Sequence, residues 1–186
     1  MNLRRILLAL AVASVAIAAE HDLIIRHGRV LDGTGKPAIS ADVAVKDGRV
    51  VAIGQINGTA TREIDAKGQI VAPGFIDVHT HSEDITELPV AENFLRMGVT
   101  TIVTGNCGTS KTNVAAFFGA IEQTGVAVNV ATLLGQGSIR GQVMGGSFMR
   151  PATPEELDKM RALVDQGMRS EEHTSELQSH HDLVCR

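Results

Sequence analysis

The chain has 186 residues, a net charge of −4 at pH 7 and 44% hydrophobic residues, a composition typical of a soluble globular domain. It contains no Trp, no Tyr and five Phe, so it has neither the basic excess nor the aromatic platforms of a nucleic-acid-binding protein, and we expect no nucleic-acid partner. Its two cysteines are Cys107 and Cys185, and because the second lies in an atypical tail, a disulfide framework is not expected.

The N-terminus has the pattern of a signal peptide. Arg4 and Arg5 precede a short apolar run at residues 6–18, and residues 16–18 form a small-x-small cleavage sequence. The run is too short to span a bilayer comfortably, so we expect no stable membrane anchor. Residues 1–18 are therefore predicted to direct export to a periplasmic or secreted location, and the arginine pair leaves the twin-arginine route open beside the general one.

Residues 19–72 predict short β-strands joined by tight turns, as in part of a small β-sandwich domain. The clearest signal is the Asp47-Gly48 pair, which lies between the apolar runs 43–45 and 50–53. Asp-Gly is a preferred sequence for two-residue hairpin turns. We therefore predict a β-hairpin at this position.

A second hairpin is predicted further along this segment. Residues 63–65 and 69–71 are apolar-containing runs that flank the turn-forming residues 66–68. Earlier in the same segment, His27 lies beside Gly28. We interpret His27 as a surface turn residue rather than as a metal ligand.

After Pro73 the pattern changes to alternating strands and helices, which is typical of a parallel β/α barrel. A complete barrel has eight strands and about 250 residues, whereas residues 73–168 provide for about three strands. We therefore predict an α/β fold in which the first strands and helices of an incomplete (β/α)8 barrel follow the β-sandwich part. The predicted strands lie at residues 71–78, 99–104 and 126–134, and the predicted helices at residues 89–97, 113–123 and, after a capping box that begins at Thr153, 154–168.

The most informative stretch is residues 73–81, with the sequence PGFIDVHTH. Side chains alternate along an extended chain, so His79 and His81 should point to one side and Thr80 to the other. Two imidazoles that leave one strand end together can hold a single divalent metal ion. His79 and His81 are therefore candidate metal ligands.

Cys107 is the third candidate ligand, because it follows the next predicted strand in the context Asn106-Cys107-Gly108. A thiolate is a soft, charged ligand that suits a tetrahedral zinc site. The ends of neighbouring parallel strands lie on one face, so we expect its sulfur within about 5 Å of an imidazole nitrogen. The alternative is a buried structural cysteine, which is a common role for a free thiol.

The C-terminal tail, residues 169–186, resembles the conceptual translation of a sequencing adapter. We therefore expect this segment to be artefactual and to pack poorly, and such segments are excluded from fold reasoning. Its donor side chains are accordingly not counted as metal ligands; they are His173, His180, His181 and Cys185.

Four motifs together resemble the N-acyl-D-amino-acid deacylase, or D-aminoacylase, branch of the amidohydrolase superfamily. They are residues 27–35 (HGRVLDGTG), 73–81 (PGFIDVHTH), 98–108 (GVTTIVTGNCG) and 150–157 (RPATPEEL). The resemblance implies one or two zinc ions, with His79, His81 and Cys107 as metal ligands. It also implies hydrolysis of a small-molecule N-acyl-D-amino acid to a carboxylate and a D-amino acid.

The same resemblance implies that the proton-shuttling acid comes from a later barrel strand. No catalytic residue is therefore assigned within residues 1–168, and we expect the 186-residue chain to be an inactive N-terminal fragment. Two positions depart from the family pattern: Ser82-Glu83 after the histidines, and Gln136 where a histidine is expected. Two alternatives stay open, namely a cyclic-amide hydrolase of the dihydroorotase or hydantoinase type and an exported metal-binding module without catalysis.

Overall fold

The computed structural model describes residues 19–146 and 149–171. These residues form a five-stranded sheet followed by a three-stranded sheet and four α-helices. The fold is α/β, with part of a β-sandwich preceding the first strands of a β/α barrel, as the sequence predicts. The predicted signal peptide and nearly all of the predicted tail lie outside the described residues.

The first sheet contains the predicted Asp-Gly hairpin. Asp47 and Gly48 both have positive φ, 50° and 71°, as a two-residue type I′ turn requires. The turn joins β2 and β3, which pair antiparallel, so this prediction is confirmed. The strands of the sheet are β1 (His21–Val30), β2 (Ile39–Lys46), β3 (Arg49–Gly54), β4 (Ala60–Asp65) and β5 (Ile70–Val71), in the order β3-β2-β1-β4 with β5 beside β1.

The second predicted hairpin is wrong. Both β4 and β5 pair in parallel with β1, so the chain does not reverse between them. The reason lies in β1, which has an irregularity between Ile25 and Gly28. The turn at residues 66–68 follows this irregularity, because Ala66 N–H donates to the Arg26 carbonyl at 2.9 Å and Gly68 N–H donates to the His27 carbonyl at 2.8 Å.

His27 is exposed, as predicted, but it lies within a strand rather than in a turn. Its φ of 55° places it in the left-handed region, at the irregularity of β1. The imidazole Nδ1 lies 3.0 Å from Asp65 Oδ1. His27 therefore serves the packing of β1 against β4, and it lies outside the group of side chains that could hold a metal.

The second sheet is parallel and carries the candidate site. Its strands β6 (Phe75–Asp77), β7 (Val99–Thr104) and β8 (Asn129–Thr132) are adjacent in the order of the sequence. β6 pairs with β7 from Phe75–Val99 to Asp77–Ile102. The carboxyl ends of the three strands therefore meet at one edge, which is the edge where barrel enzymes hold their active sites.

The helices partly agree with the prediction. They are α1 (Glu92–Arg96), α2 (Val114–Thr124), α3 (Gln136–Met144) and α4 (Pro154–Glu171). The sequence does not predict α3, because two of its nine residues are glycines of low helix propensity. Tertiary contacts hold it instead: Ile139 is buried, and Ser138 N–H donates to the Gly108 carbonyl at 2.9 Å.

The core of the barrel part lies between the parallel sheet and α2. Ile102 of β7 is fully buried and packs in one cluster with Phe117 of α2 and Val130 of β8. By contrast, Leu157, Val164 and Met168 on the predicted apolar face of α4 are exposed. None of the helices in the described ranges has both the length and the apolar character needed to cross a membrane.

Candidate metal centre

The two histidines leave β6 together. The strand ends at Asp77, whose carboxylate Oδ1 accepts a hydrogen bond from the His79 backbone N–H at 3.1 Å. His79 and His81 are exposed, whereas Thr80 between them is only 7% exposed. The side chains thus alternate as predicted, with the two imidazoles on the open side.

Cys107 reaches the same place from the end of β7. Its Sγ lies 3.4 Å from His79 Nε2, and the donor atoms of His79, His81 and Cys107 all lie within 4.8 Å of one another. The predicted convergence of the three side chains is therefore confirmed. The thiol is exposed, so the alternative of a buried structural cysteine is wrong.

The separation of Cys107 Sγ from His79 Nε2 fits two ligands of one zinc ion. Zn–N distances of about 2.0–2.1 Å and a Zn–S distance of about 2.3 Å, at tetrahedral angles, separate the donors by about 3.3–3.6 Å. The observed distance of 3.4 Å between Cys107 Sγ and His79 Nε2 lies within this range. Two imidazole nitrogens and a thiol also form a donor set typical of zinc rather than of magnesium or calcium.

The backbone around Cys107 is unusual. Cys107 itself has φ of 55°, in the left-handed region, which non-glycine residues seldom occupy. Gly105 and Gly108 on either side have φ of 82° and 81°. A Cβ atom on Gly105 would lie 2.1 Å from the Leu133 carbonyl oxygen, so only glycine allows the turn to pack against the end of β8.

Hydrogen bonds join the segment after β6 to the segment after β7. Thr80 donates both its backbone N–H and its Oγ1–H to the Val103 carbonyl, at 2.9 and 3.0 Å. The Asn106 side-chain amide donates to the carbonyls of Thr80 and Val103, at 3.2 and 3.0 Å. Ser82 N–H donates to Thr104 Oγ1 at 3.0 Å. These bonds fix the distance between the histidine segment and the cysteine turn.

Glu83 makes a further contact between the two strand ends, since its carboxylate Oε1 accepts the Gly105 N–H at 2.9 Å. Burial acts to raise the pKa of Glu83, but hydrogen bonds from backbone N–H groups, including that of Gly105, outweigh it and lower the pKa. Glu83 is thus an anionic acceptor beneath the turn. The sequence marks Ser82-Glu83 only as a departure from the family pattern, and the structure gives both residues a supporting contact.

The end of β8 is joined to the same turn through two serines. Ser110 N–H donates to Ser138 Oγ at 2.9 Å, and Gly135 N–H donates to Ser110 Oγ at 2.7 Å. Gln136, where the family pattern leads us to expect a histidine, is exposed at the start of α3. The ends of all three parallel strands are therefore linked around Cys107.

Comparisons with known proteins agree with this architecture. The model of the amidohydrolase family matches residues 62–186. N-acyl-D-glutamate deacylase from Alcaligenes xylosoxydans xylosoxydans is 35% identical over 168 residues, which cover 77% of this chain and 34% of the relative.

Two solved structures are also similar. One is D-aminoacylase, a protein with a binuclear metal centre, at TM-score 0.74 and 34% identity, covering 81% of this chain and 37% of that one. The other is N-acyl-D-glutamate deacylase from Bordetella bronchiseptica in complex with zinc and a phosphonate inhibitor, at TM-score 0.70 and 33% identity, covering 80% and 36%. The chain spans about a third of the length of these relatives. Because the amidohydrolase family model matches more than half of the residues of this chain, the chain belongs to the amidohydrolase family.

Proposed function

We propose that the chain supplies the first metal ligands of a zinc-dependent amidohydrolase that cleaves the N-acyl bond of N-acyl-D-amino acids. The observation that carries the proposal is the convergence of His79, His81 and Cys107 at the carboxyl edge of a parallel sheet. The similar structures support zinc and this substrate class, since one of them holds zinc with a phosphonate that mimics a tetrahedral intermediate. The products are a carboxylate and a D-amino acid.

A zinc ion held by His79, His81 and Cys107 would supply Lewis-acid chemistry toward an acyl carbonyl and toward water. The protein's own residues prepare the place for it. Cys107 brings a negative charge when its thiol is deprotonated, and the two histidines bring neutral nitrogen donors. All three side chains are exposed on one edge, so a small acylated amino acid can approach the site directly.

The proposal includes an exported location, which rests on the signal-peptide pattern of residues 1–18. It includes one or two metal ions in the whole protein, supported by the binuclear centre of the D-aminoacylase relative.

The test is zinc binding by the 186-residue chain, measured by competition with a chelator, for matched pairs of variants. His79→Asn removes a proposed ligand, while His27→Asn changes an exposed histidine outside the site. Cys107→Ser and Cys185→Ser form the second pair. Both controls also show whether donors elsewhere in the chain contribute to the signal.

We expect His79→Asn and Cys107→Ser to weaken zinc binding by more than the roughly 10–100-fold loss seen when a group supporting a ligand is removed. The two control variants should bind like the unsubstituted chain. Co²⁺ should give a thiolate-to-metal absorption band that Cys107→Ser abolishes and Cys185→Ser leaves intact. Zinc binding that is unaffected by both His79→Asn and Cys107→Ser would contradict the proposal.

A further inference from the structure

We infer that Asn106 is a positioning residue that holds Cys107 against the histidine pair. The inference rests on the proposed zinc site and goes beyond it, since Asn106 itself offers no ligand to the metal. Asn106 precedes Cys107 directly and is 7% exposed. Its side-chain amide is one of the few buried polar groups in the described residues of the barrel part.

The contacts of Asn106 reach the segment that carries the histidines. Its Nδ2 donates to the Thr80 carbonyl at 3.2 Å and to the Val103 carbonyl at 3.0 Å. The Thr80 carbonyl belongs to the peptide that links Thr80 to His81, and Thr80 itself lies between the two histidines. The Asn106 side chain therefore fixes the peptide that leads into His81, and the Asn106 backbone leads directly into Cys107.

The Val103 carbonyl connects the same network to β7. It accepts from the Thr80 N–H, from the Thr80 hydroxyl and from the Asn106 amide. The two groups that the Asn106 Nδ2 contacts, the carbonyls of Thr80 and Val103, are both hydrogen-bond acceptors. An amide is therefore required at position 106, because a carboxylate of the same shape would face two carbonyl oxygens.

The conformation of Cys107 depends on this support. Its φ of 55° is uncommon for a residue with a side chain, and such conformations persist where surrounding contacts fix them. With the Asn106 amide bonded on one side, the thiol points to His79 Nε2 at 3.4 Å. Loss of the amide bonds should let the turn relax and the thiol leave that position.

The experiment compares Asn106→Asp with Asn113→Asp in the 186-residue chain. Asn106→Asp keeps the shape but removes the donors. Asn113 uses only its Oδ1, which accepts the Ala116 N–H at 3.0 Å as a helix N-cap, and Asp serves equally well there. The readouts are the zinc dissociation constant, the Co²⁺–thiolate absorption band and the thermal unfolding midpoint.

We expect Asn106→Asp to weaken zinc binding by roughly 10–100-fold, as removal of a group supporting a ligand does, and to reduce the Co²⁺–thiolate band. Asn113→Asp should change neither. Repeating Asn106→Asp in a Cys107→Ser background separates positioning from general damage, because a positioning residue loses most of its effect once the thiol is absent. Equal losses in both backgrounds would overturn the inference.

Unchanged zinc affinity and an unchanged thiolate band in Asn106→Asp would also overturn it. If Asn106→Asp does not fold, Asn106→Ser, which keeps one hydroxyl donor, is carried through the same cycle with the same expectations. A failure of the unsubstituted chain to bind zinc would instead refute the proposed function before any variant is compared. The two failures are therefore distinguishable.

Discussion

At the scale of single residues, the turn after β7 combines unusual backbone conformations with close contacts. Gly105, Cys107 and Gly108 all have positive φ, and the turn lies against the end of β8. Left-handed conformations at non-glycine residues are found preferentially at functional sites. The position of Cys107 therefore depends as much on its neighbours along the chain as on its own side chain.

Gly105→Ala tests how much the close approach of this turn to Leu133 contributes to stability. A Cβ atom there would lie 2.1 Å from the Leu133 carbonyl oxygen, whereas a Cβ atom on Gly125, with φ of 74°, would meet nothing within 4 Å. Gly125→Ala should cost about 1–2 kcal/mol for the left-handed conformation alone. Gly105→Ala should cost a further roughly 1–3 kcal/mol because of the clash.

The measurement is urea unfolding of the two variants beside the unsubstituted chain. Gly105→Ala should also weaken zinc binding, because the backbone must move near Cys107, while Gly125→Ala should not. Equal free energies of unfolding for the two variants would show that the contact with Leu133 relaxes without cost.

The three candidate ligands could be predicted from the sequence because their chemistry is carried by residue type and position. His79 and His81 follow one apolar strand, and Cys107 follows the next. Asn106 and Glu83 could not be assigned roles in the same way, since each has a partner on the neighbouring strand end: Thr80 lies 26 residues from Asn106, and Gly105 lies 22 residues from Glu83. The only sequence signal for Glu83 is its departure from the family pattern.

At the scale of elements, α4 begins with the predicted capping box. Glu156 N–H donates to Thr153 Oγ1 at 3.2 Å, and Thr153 N–H donates to the Glu156 carboxylate at 2.9 Å. Arg150 donates to the same carboxylate at 2.6 and 2.8 Å. The Glu156 carboxylate therefore stabilises the start of α4 by accepting hydrogen bonds from both Thr153 N–H and Arg150.

Acidification should weaken this start of the helix. Hydrogen bonds from Arg150, and then from the Thr153 backbone, lower the pKa of Glu156 from 4.5 to about 2. A lowered pKa in the folded state gives stabilisation that is complete above the unfolded value of 4.5 and is lost as the pH falls through about 2. Glu156→Gln should therefore have a lower unfolding midpoint at pH 7 than the unsubstituted chain.

The difference between the two midpoints should shrink as the pH falls from 4.5 towards 2. Circular dichroism melts at several pH values measure it, with Glu122→Gln, at an exposed site on α2, as the control. A difference that stays constant over this range would show that the Glu156 carboxylate does not titrate as expected.

The elements that the sequence missed have tertiary causes. The turn at residues 66–68 has hairpin-like residues, but the irregularity in β1 gives its N–H groups acceptors on β1, so β4 and β5 continue in one direction. The glycine-rich α3 has little intrinsic helix propensity. Burial of Ile139 and the contact with the Gly108 carbonyl stabilise it, and neither contact can be read from local sequence.

At the scale of the whole molecule, apolar side chains are exposed on β6, the edge strand of the parallel sheet, and directly after it. Phe75, Ile76 and Val78 are 67%, 62% and 68% exposed. Contiguous apolar residues on an unpaired strand edge promote association between chains. We therefore expect the 186-residue chain to self-associate through β6.

Ile76→Lys should shift the chain towards the monomer, because a charged side chain opposes pairing at an edge. Ile39→Lys is the control, since Ile39 is 56% exposed but belongs to β2, which is flanked by two strands. Sedimentation velocity over a range of concentrations gives the association state. If both variants associate equally, the contact between chains does not involve β6.

The 186-residue chain by itself should not hydrolyse N-acyl-D-amino acids. The described residues form three parallel strands, and a barrel of this kind closes with eight. We expect a metal ion bound to these three strands to lack the fixed substrate position that a closed barrel provides. An assay on N-acetyl-D-glutamate and N-acetyl-D-methionine with added zinc checks this, and zinc-dependent, D-selective turnover would contradict it.

The short distance along the sequence between the three ligands has a consequence for biosynthesis. His79 and Cys107 are 28 residues apart, and the strands that carry them are neighbours, so the loop that must close is short and its entropic cost is small. The ligands can therefore meet while later residues are still being synthesised. Ribosome-bound chains that end at residue 146 should already show zinc-dependent protection of Cys107 from alkylation, whereas equal alkylation with and without zinc would show that the site forms later.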